Sequence, residues 1–308
     1  MKRAGIVLCG GRSRRMGRSK ALLPWFGPTL VEHVVARLAP CVDEVLVVTA
    51  RDLPIEGLVS RLGARSIFDR EPARGPLAAL RDGLAATRAE RAFVTTTDAP
   101  FLTAAAARAL FERAEAGVGA GRSGAVVPRA AGFLQVLSAV YPADAWREAE
   151  VLLGTARAGG EAASAGAREE SPLRLLERIG FDAIEPSDAS SLPAWTSFNT
   201  PDEYLALARG QDPAACASIE WVAGAAGSAI RVVPIGRLGE LLRAVAPPGF
   251  ALDDPAGLEN LVVAFGDGAL RLDGVQSADL ALPVGPGERV RISSRGPLGA
   301  DGRDRALG

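Results

Sequence analysis

From the N-terminus to residue 208, apolar and polar positions fall into short runs that predict strands and helices in turn. Ile6, Val7, Leu8 and Cys9 form an apolar run that empties into Gly10-Gly11, which reads as a strand entering a loop. Residues 29–38 follow a helical period, with Leu30, Val34 and Leu38 on one face and Val31 and Val35 beside them. A buried-type strand is expected over 44–49, a helix over 55–62 and a strand over 65–68. Next come a helix over 77–86, a strand over 92–97 and an alanine-rich helix from Thr103 to about residue 115. Strands over 124–128 and 133–141, helices over 144–153 and 171–179, and a strand over 181–184 complete the region. Strands that alternate with helices predict a parallel α/β sheet. The small and polar stretch 154–170 is expected to be a mobile surface loop. Thr200, Pro201 and Glu203 have the spacing of a capping box at a helix start.

Beyond a linker over 210–217 the style changes. Strands over 218–223 and 229–234, a helix over 238–246, and strands over 261–265 and 289–293 predict a small α+β domain over 218–295. The glycine-rich, charged tail 296–308 is expected to be disordered. The first domain is placed at 1–209.

Composition narrows the function classes. The chain has 308 residues, 48% hydrophobic and 23% charged, with a formal net charge of −1. This is ordinary globular composition without a global footprint for nucleic acid or an anionic membrane. No run approaches 18 apolar residues, and Met1-Lys2-Arg3 leads straight into a strand, so a cytoplasmic protein is expected. The three cysteines, Cys9, Cys41 and Cys216, lack metal-ligand spacing. The single histidine, His33, sits on a helix face, which argues against a histidine-ligated metal or a Ser-His-Asp triad.

The chemistry therefore rests on loops at strand ends. Gly10, Gly11 and Gly17 allow the backbone to approach an anion closely, and Arg12, Arg14, Arg15, Arg18 and Lys20 add positive charge to the same stretch. The spacing is neither G-x-x-x-x-G-K-[ST] nor G-x-G-x-x-G. Of the 35 basic residues only Lys2 and Lys20 are lysine, so a compact ammonium at the end of this loop stands out. Asp98 follows the strand at 92–97, and ligands of open α/β sheets lie at the carboxyl ends of strands. The basic loop and this carboxylate are expected to come together there. Asp69 opens a turn-rich link in which Gly75-Pro76-Leu77 starts a helix whose exposed N–H groups suit an anion.

The series Leu8-Cys9-Gly10-Gly11, Arg15-Met16-Gly17, Lys20-Ala21-Leu22-Leu23-Pro24, Gly75-Pro76-Leu77, Asp98-Ala99-Pro100, Gln135 and Phe198-Asn199-Thr200-Pro201 resembles, in order, the molybdenum cofactor guanylyltransferase family. The resemblance implies a Rossmann-like, three-layer nucleotidyltransferase domain that takes GTP and Mg²⁺ and transfers GMP to the phosphate of molybdopterin or its molybdenum form. It implies that Leu8, Cys9, Gly10, Asp69 and Gly75 meet the nucleotide and that Gly11, Arg15 and Lys20 handle its phosphates. Asp98 would hold Mg²⁺ and contact the nucleotide, and Gln135 and Asn199 would line the acceptor site. Other molybdenum cofactor biosynthesis proteins or target molybdoenzymes are the protein partners it implies. Ser19, Thr97, Ser197 and Phe133-Leu134 depart from the family's usual residues. A cytidylyltransferase or sugar-phosphate nucleotidyltransferase of the same fold, and a non-catalytic adaptor, therefore stay open. The C-terminal domain bears a fainter resemblance to the β-grasp sulfur carriers of molybdopterin synthesis, which end in Gly-Gly. This chain ends Arg305-Ala306-Leu307-Gly308, which implies docking of a partner rather than carriage of sulfur.

Overall fold

A computed structural model describes residues 1–9, 15–72, 74–119, 124–158, 170–185, 194–222, 228–247, 250, 254–266 and 270–294. Contacts divide the chain into two compact units: Met1–Arg12 with Thr29–Phe198, and Ser13–Pro28 with Asn199–Gly308.

In the first unit the elements run β1 (Arg3–Cys9), α1 (Leu30–Leu38), β2 (Glu44–Thr49), α2 (Glu56–Arg61), β3 (Arg65–Phe68), α3 (Pro76–Ala86), β4 (Arg91–Thr96) and α4 (Ala104–Gly119). They continue through β5 (Ala125–Ala130), β6 (Phe133–Leu134), β7 (Ala139–Pro142), α5 (Trp146–Ala158), α6 (Pro172–Ile179) and β8 (Phe181–Ile184). The strands form one sheet in the order β3-β2-β1-β4-β7-β5-β6, with β8 also paired to β5. The β1–β2, β2–β3 and β1–β4 pairs are parallel, whereas β7 runs against both β4 and β5.

Successive β1 residues serve opposite faces of the sheet. Gly5 lies against Leu38 of α1, and Ile6 lies so close to α3 that a Cβ on Gly83 would fall 2.6 Å from its Cγ2. Helices thus cover both faces, the three-layer arrangement expected for a parallel sheet. The core on the α3 side gathers Ile6, Val48, Leu80, Val94, Tyr141 and Leu175. The α1 start is closed by a capping box in which Thr29 and Glu32 bond each other's backbone N–H.

Several boundaries differ from expectation. The strand expected over 133–141 is two short strands, because Ser138 N donates to Gln135 O and turns the chain between them. The helix expected to end at 153 runs to Ala158, within the stretch read as a surface loop; residues 159–169 of that loop lie outside the described ones.

The second unit holds α7 (Pro201–Gln211), β9 (Cys216–Val222), β10 (Ser228–Pro234), β11 (Gly236–Arg237), α8 (Leu238–Val245), α9 (Pro255–Glu259), β12 (Leu261–Phe265), β13 (Leu270–Asp273), β14 (Pro283–Val284) and β15 (Arg289–Ser294). Thr200 and Glu203 form the anticipated capping box of α7. The five-stranded sheet has the order β10-β9-β15-β12-β13, in which only the central β9–β15 pair is parallel. Trp221, Leu238, Leu242, Val263, Phe265 and Ile292 fill its core. Half of the segment read as a linker over 210–217 is regular structure, since α7 extends to Gln211 and β9 begins at Cys216. Contacts group α7 and residues 13–28 with the C-terminal sheet rather than with the first unit. The tail 296–308 lies outside the described residues.

Candidate active site

The parallel register of the first unit brings strand ends together. Leu8 of β1 pairs with Thr96 of β4, so β1 leaves for the Gly10-Gly11 loop beside the point where β4 runs into Asp98. Gly10 and Gly11 themselves lie outside the described residues. Asp98 is half-buried, and its Oδ1 accepts a hydrogen bond from Thr96 Oγ1. The following turn is braced from α1, where His33 Nε2 lies 2.8 Å from Pro100 O. Burial pulls the His33 ring below its usual pKa, which favours the neutral imidazole donating to that carbonyl. His33 is therefore a structural brace for the Asp98 turn. Leu8 and Cys9 are buried, and burial pushes the Cys9 thiol up and keeps it protonated, so backbone is what this strand end offers a ligand.

At the same sheet edge Asp69 follows β3. Its N–H donates to Thr49 O at 2.9 Å, and its Oδ1 accepts from Glu71 N at 2.8 Å. Burial raises the Asp69 carboxyl despite that hydrogen bond. Asp69 and Asp98 stand three strand spacings apart, about 14 Å along the edge. Gly75 precedes α3 at φ +97°, a conformation that favours glycine, and Pro76 takes the first helical position.

Gln135 reaches the same edge, because β7 pairs Ala139 with Val94 in antiparallel register and Gln135 precedes it. Its amide nitrogen is turned onto its own hairpin, 3.2 Å from Phe133 O and 3.4 Å from Ala130 O.

Beneath Asp69 lies a charged network that the sequence reading did not single out. Asp82 accepts from Arg70 N at 2.8 Å, Arg70 Nε at 2.7 Å and Arg81 Nε at 2.9 Å, and Arg81 Nη1 reaches Glu71 at 3.1 Å. Arg81 is 1% exposed. Burial acts against the Asp82 charge, and the Arg81 and Arg70 hydrogen bonds outweigh it, so its carboxyl sits below the usual range. The network fixes residues 69–71 against α3. A signal existed in Arg81-Asp82, two charges inside the otherwise apolar run Leu77-Ala78-Ala79-Leu80 to Leu84.

In the second unit Lys20 opens a single 3₁₀ turn, Lys20–Leu22. Its Nζ donates to Asn199 Oδ1 at 3.1 Å, while Asn199 N donates to Glu203 Oε2 at 2.6 Å. The α7 capping box thus holds Asn199 in place for the lysine. Arg15 is exposed. Two residues expected to act on phosphate and acceptor, Lys20 and Asn199, are brought into direct contact.

A mixed α/β sheet with helices on both faces, and with Asp69, Asp98 and the Gly75 turn at the carboxyl edge of its parallel strands, is the architecture of an open α/β protein that takes its ligand at that edge. The chain belongs to the MobA-like NTP transferase domain family, which matches residues 5–169. It is 30% identical over 207 residues to a protein of Natronomonas pharaonis named as a probable molybdenum cofactor guanylyltransferase, covering 66% of this chain and 95% of that one. It is 44% identical over 107 residues to the molybdenum cofactor guanylyltransferase of Rhodobacter capsulatus, where the match covers 33% of this chain and 54% of the relative. Among solved structures it is similar to molybdopterin-guanine dinucleotide biosynthesis protein A from Archaeoglobus fulgidus. The TM-score is 0.54 at 24% identity, over 68% of this chain and 97% of that one, a likeness of fold.

Proposed function

We propose that this protein is a molybdenum cofactor guanylyltransferase, transferring GMP from GTP to the terminal phosphate of molybdopterin or its molybdenum form. The observation that carries the reading is the 30% identity to a relative of that name, sustained over 95% of the relative's length.

A phosphate oxygen of the pterin attacks the α-phosphorus of GTP. The new P–O bond forms as the bond from the α-phosphorus to the α–β bridging oxygen breaks, and pyrophosphate leaves. Both reactants are anions, so the protein's main task is to neutralise charge and align the oxygens. The attacking oxygen carries no proton to remove at neutral pH, and a chain with one histidine suits such a reaction. In this reading Lys20 and Arg15 meet the phosphates with Gly11. Leu8, Cys9 and Gly10 offer backbone to the nucleotide, Asp69 and Gly75 serve its nucleoside end, and Gln135 and Asn199 meet the acceptor.

Asp98 fits a Mg²⁺ ligand. It presents a hard oxygen donor oriented by Thr96, and no group of three acidic, histidine or cysteine side chains among the described residues forms a protein-only metal cage. Mg²⁺ commonly takes one or two carboxylates plus substrate phosphates. When bound it would neutralise phosphate charge.

Among the described residues no helix is long and apolar enough to cross a membrane. Water-soluble anionic substrates support the cytoplasm as the compartment. We also read the sheet of the second unit as a β-grasp, supported by its strand order, its parallel central pair and the helix after the first hairpin. The appended sheet supports docking to other proteins of molybdenum cofactor biosynthesis.

The test is pyrophosphate release from labelled GTP with Mg²⁺ and molybdopterin. Lys20→Ala and Asp98→Ala should each lower kcat/KM by at least about a hundredfold, the scale of removing one charge-stabilising group. Unchanged turnover in both variants would defeat the site assignment.

A further inference from the structure

Arg18 and Glu288 lie 270 positions apart in sequence and form a buried ion pair within the second unit, with Nη1 to Oε1 at 2.8 Å and side chains 4% and 3% exposed. The guanidinium also donates to Pro283 O at 3.3 Å and lies over the Phe265 ring, 4.6 Å from its centroid. The other Glu288 oxygen accepts from Gly285 N at 2.9 Å. Each of these contacts is made by residues of the C-terminal sheet and its loops.

The rest of the segment around Lys20 is held in the same way. Gly17 has φ +69°, and a Cβ there would fall 2.5 Å from Leu282 Cδ2. Tyr204 donates its hydroxyl hydrogen to Pro24 O. A Cβ on Gly285 would fall 2.9 Å from Pro24 Cγ and well inside the Tyr204 hydroxyl. A buried ion pair is weak support for stability, but it disfavours any arrangement that parts the two charges in a dry interior, so it selects one geometry.

We propose that the C-terminal segment serves the nucleotide site by positioning Lys20, and that the Arg18–Glu288 pair is the contact through which it does so. The inference rests on reading Lys20 as the phosphate-binding lysine. Arg18 is two residues from Lys20, so its placement sets the start of the 3₁₀ turn from which the lysine projects. Arg18 and Glu288 are positioning residues; neither is assigned a contact with substrate.

The test uses the full chain with Glu288→Gln alone and combined with Arg18→Met. Limited trypsin digestion read by mass spectrometry follows cleavage after Lys20, whose next residue, Ala21, is 2% exposed and cut only when the segment opens. Binding of GTP with Mg²⁺ is measured by calorimetry, and kcat and KM are measured with molybdopterin. Glu288→Gln should speed the Lys20 cut and raise Kd and KM for GTP about tenfold with kcat within about twofold. That is the result expected if the lysine occupies its binding arrangement in about a tenth of molecules.

The double variant leaves no buried charge unpaired. It should regain the wild-type thermal midpoint yet keep the weak GTP binding. A double variant that binds GTP as the wild type does, or a Glu288→Gln protein cut at the wild-type rate with unchanged Kd, would overturn the proposal. If the wild type itself binds no GTP, the guanylyltransferase reading fails, and the rate of the Lys20 cut alone decides whether the pair holds the segment.

Discussion

Replacing Asp82 with alanine removes one side chain and strands another. The Asp82 carboxylate, 3% exposed, is the partner of Arg81 Nε, and the Arg81 side chain is 2% exposed. Arg81 Nη2 already lacks a hydrogen-bond partner among the described residues. After the substitution only Nη1 keeps partners, Glu71 at 3.1 Å and Glu150 at 3.3 Å. Removing one member of a buried pair costs about 3–5 kcal/mol, because the other charge is left uncompensated. Arg70 is 59% exposed, so its lost pair adds little. In a unit of this size that is a fall in thermal midpoint of roughly 6–20 °C. Arg81→Met with Asp82→Ala, which removes both members of the buried pair, should recover most of the loss.

The pH dependence has a defined sign. The Asp82 carboxyl is held below its ordinary value of 3.8, so its contribution is complete above that value and is lost as pH falls through the lowered one. The gap between wild type and Asp82→Ala should narrow over that acid range. Calorimetric melts measure both effects. A drop under about 2 °C, or a double variant no more stable than the single one, would refute the reasoning.

Two further outcomes follow from the packing around the sheet. Gly83→Ala would place a Cβ 2.6 Å from Ile6 Cγ2 and 3.0 Å from Val48 Cγ2. Overpacking of about 1–3 kcal/mol against stiff β-branched neighbours should exceed the gain in helix propensity of about 1 kcal/mol, so denaturant titration should show lower stability. For His33, burial favours the neutral ring, with the Pro100 carbonyl pulling the other way. Its contribution is therefore complete above the ordinary value of 6.5 and declines as pH falls from there toward the lowered native value. His33→Asn should lose less thermal stability than wild type between about pH 7.5 and 5.5, and equal losses in both would contradict the burial of a neutral His33 ring.

The strands and helices of the first unit were legible because their apolar positions keep a clear period and because caps such as Thr29 and Thr200 mark helix starts. The placement of Asp98 at a strand end was legible by the same means, as the first carboxylate past an apolar strand, whereas Asp69 was singled out only through the family resemblance. Strand β13 was missed because Leu270–Asp273 is a short edge strand with only two half-buried side chains. Helix α9 was missed although Asp254-Pro255 is a helix-start signal, since five residues show no period. What no local pattern carries is pairing at long range. Arg18 reads as one more loop arginine and Glu288 as part of a turn, and only the fold brings them together. Arg81 and Asp82 resemble the solvated face of a helix until α3 is packed against the sheet.

The most direct test of the central claim is product identity. The 308-residue protein is given molybdopterin, Mg²⁺ and equal concentrations of GTP and CTP, and the pterin products are resolved by mass spectrometry. The guanylyltransferase account predicts molybdopterin guanine dinucleotide as the dominant product, formed with one pyrophosphate per dinucleotide and lost in Asp98→Ala. Cytosine dinucleotide as the main product, or no dinucleotide from protein that is folded by calorimetry, would contradict it.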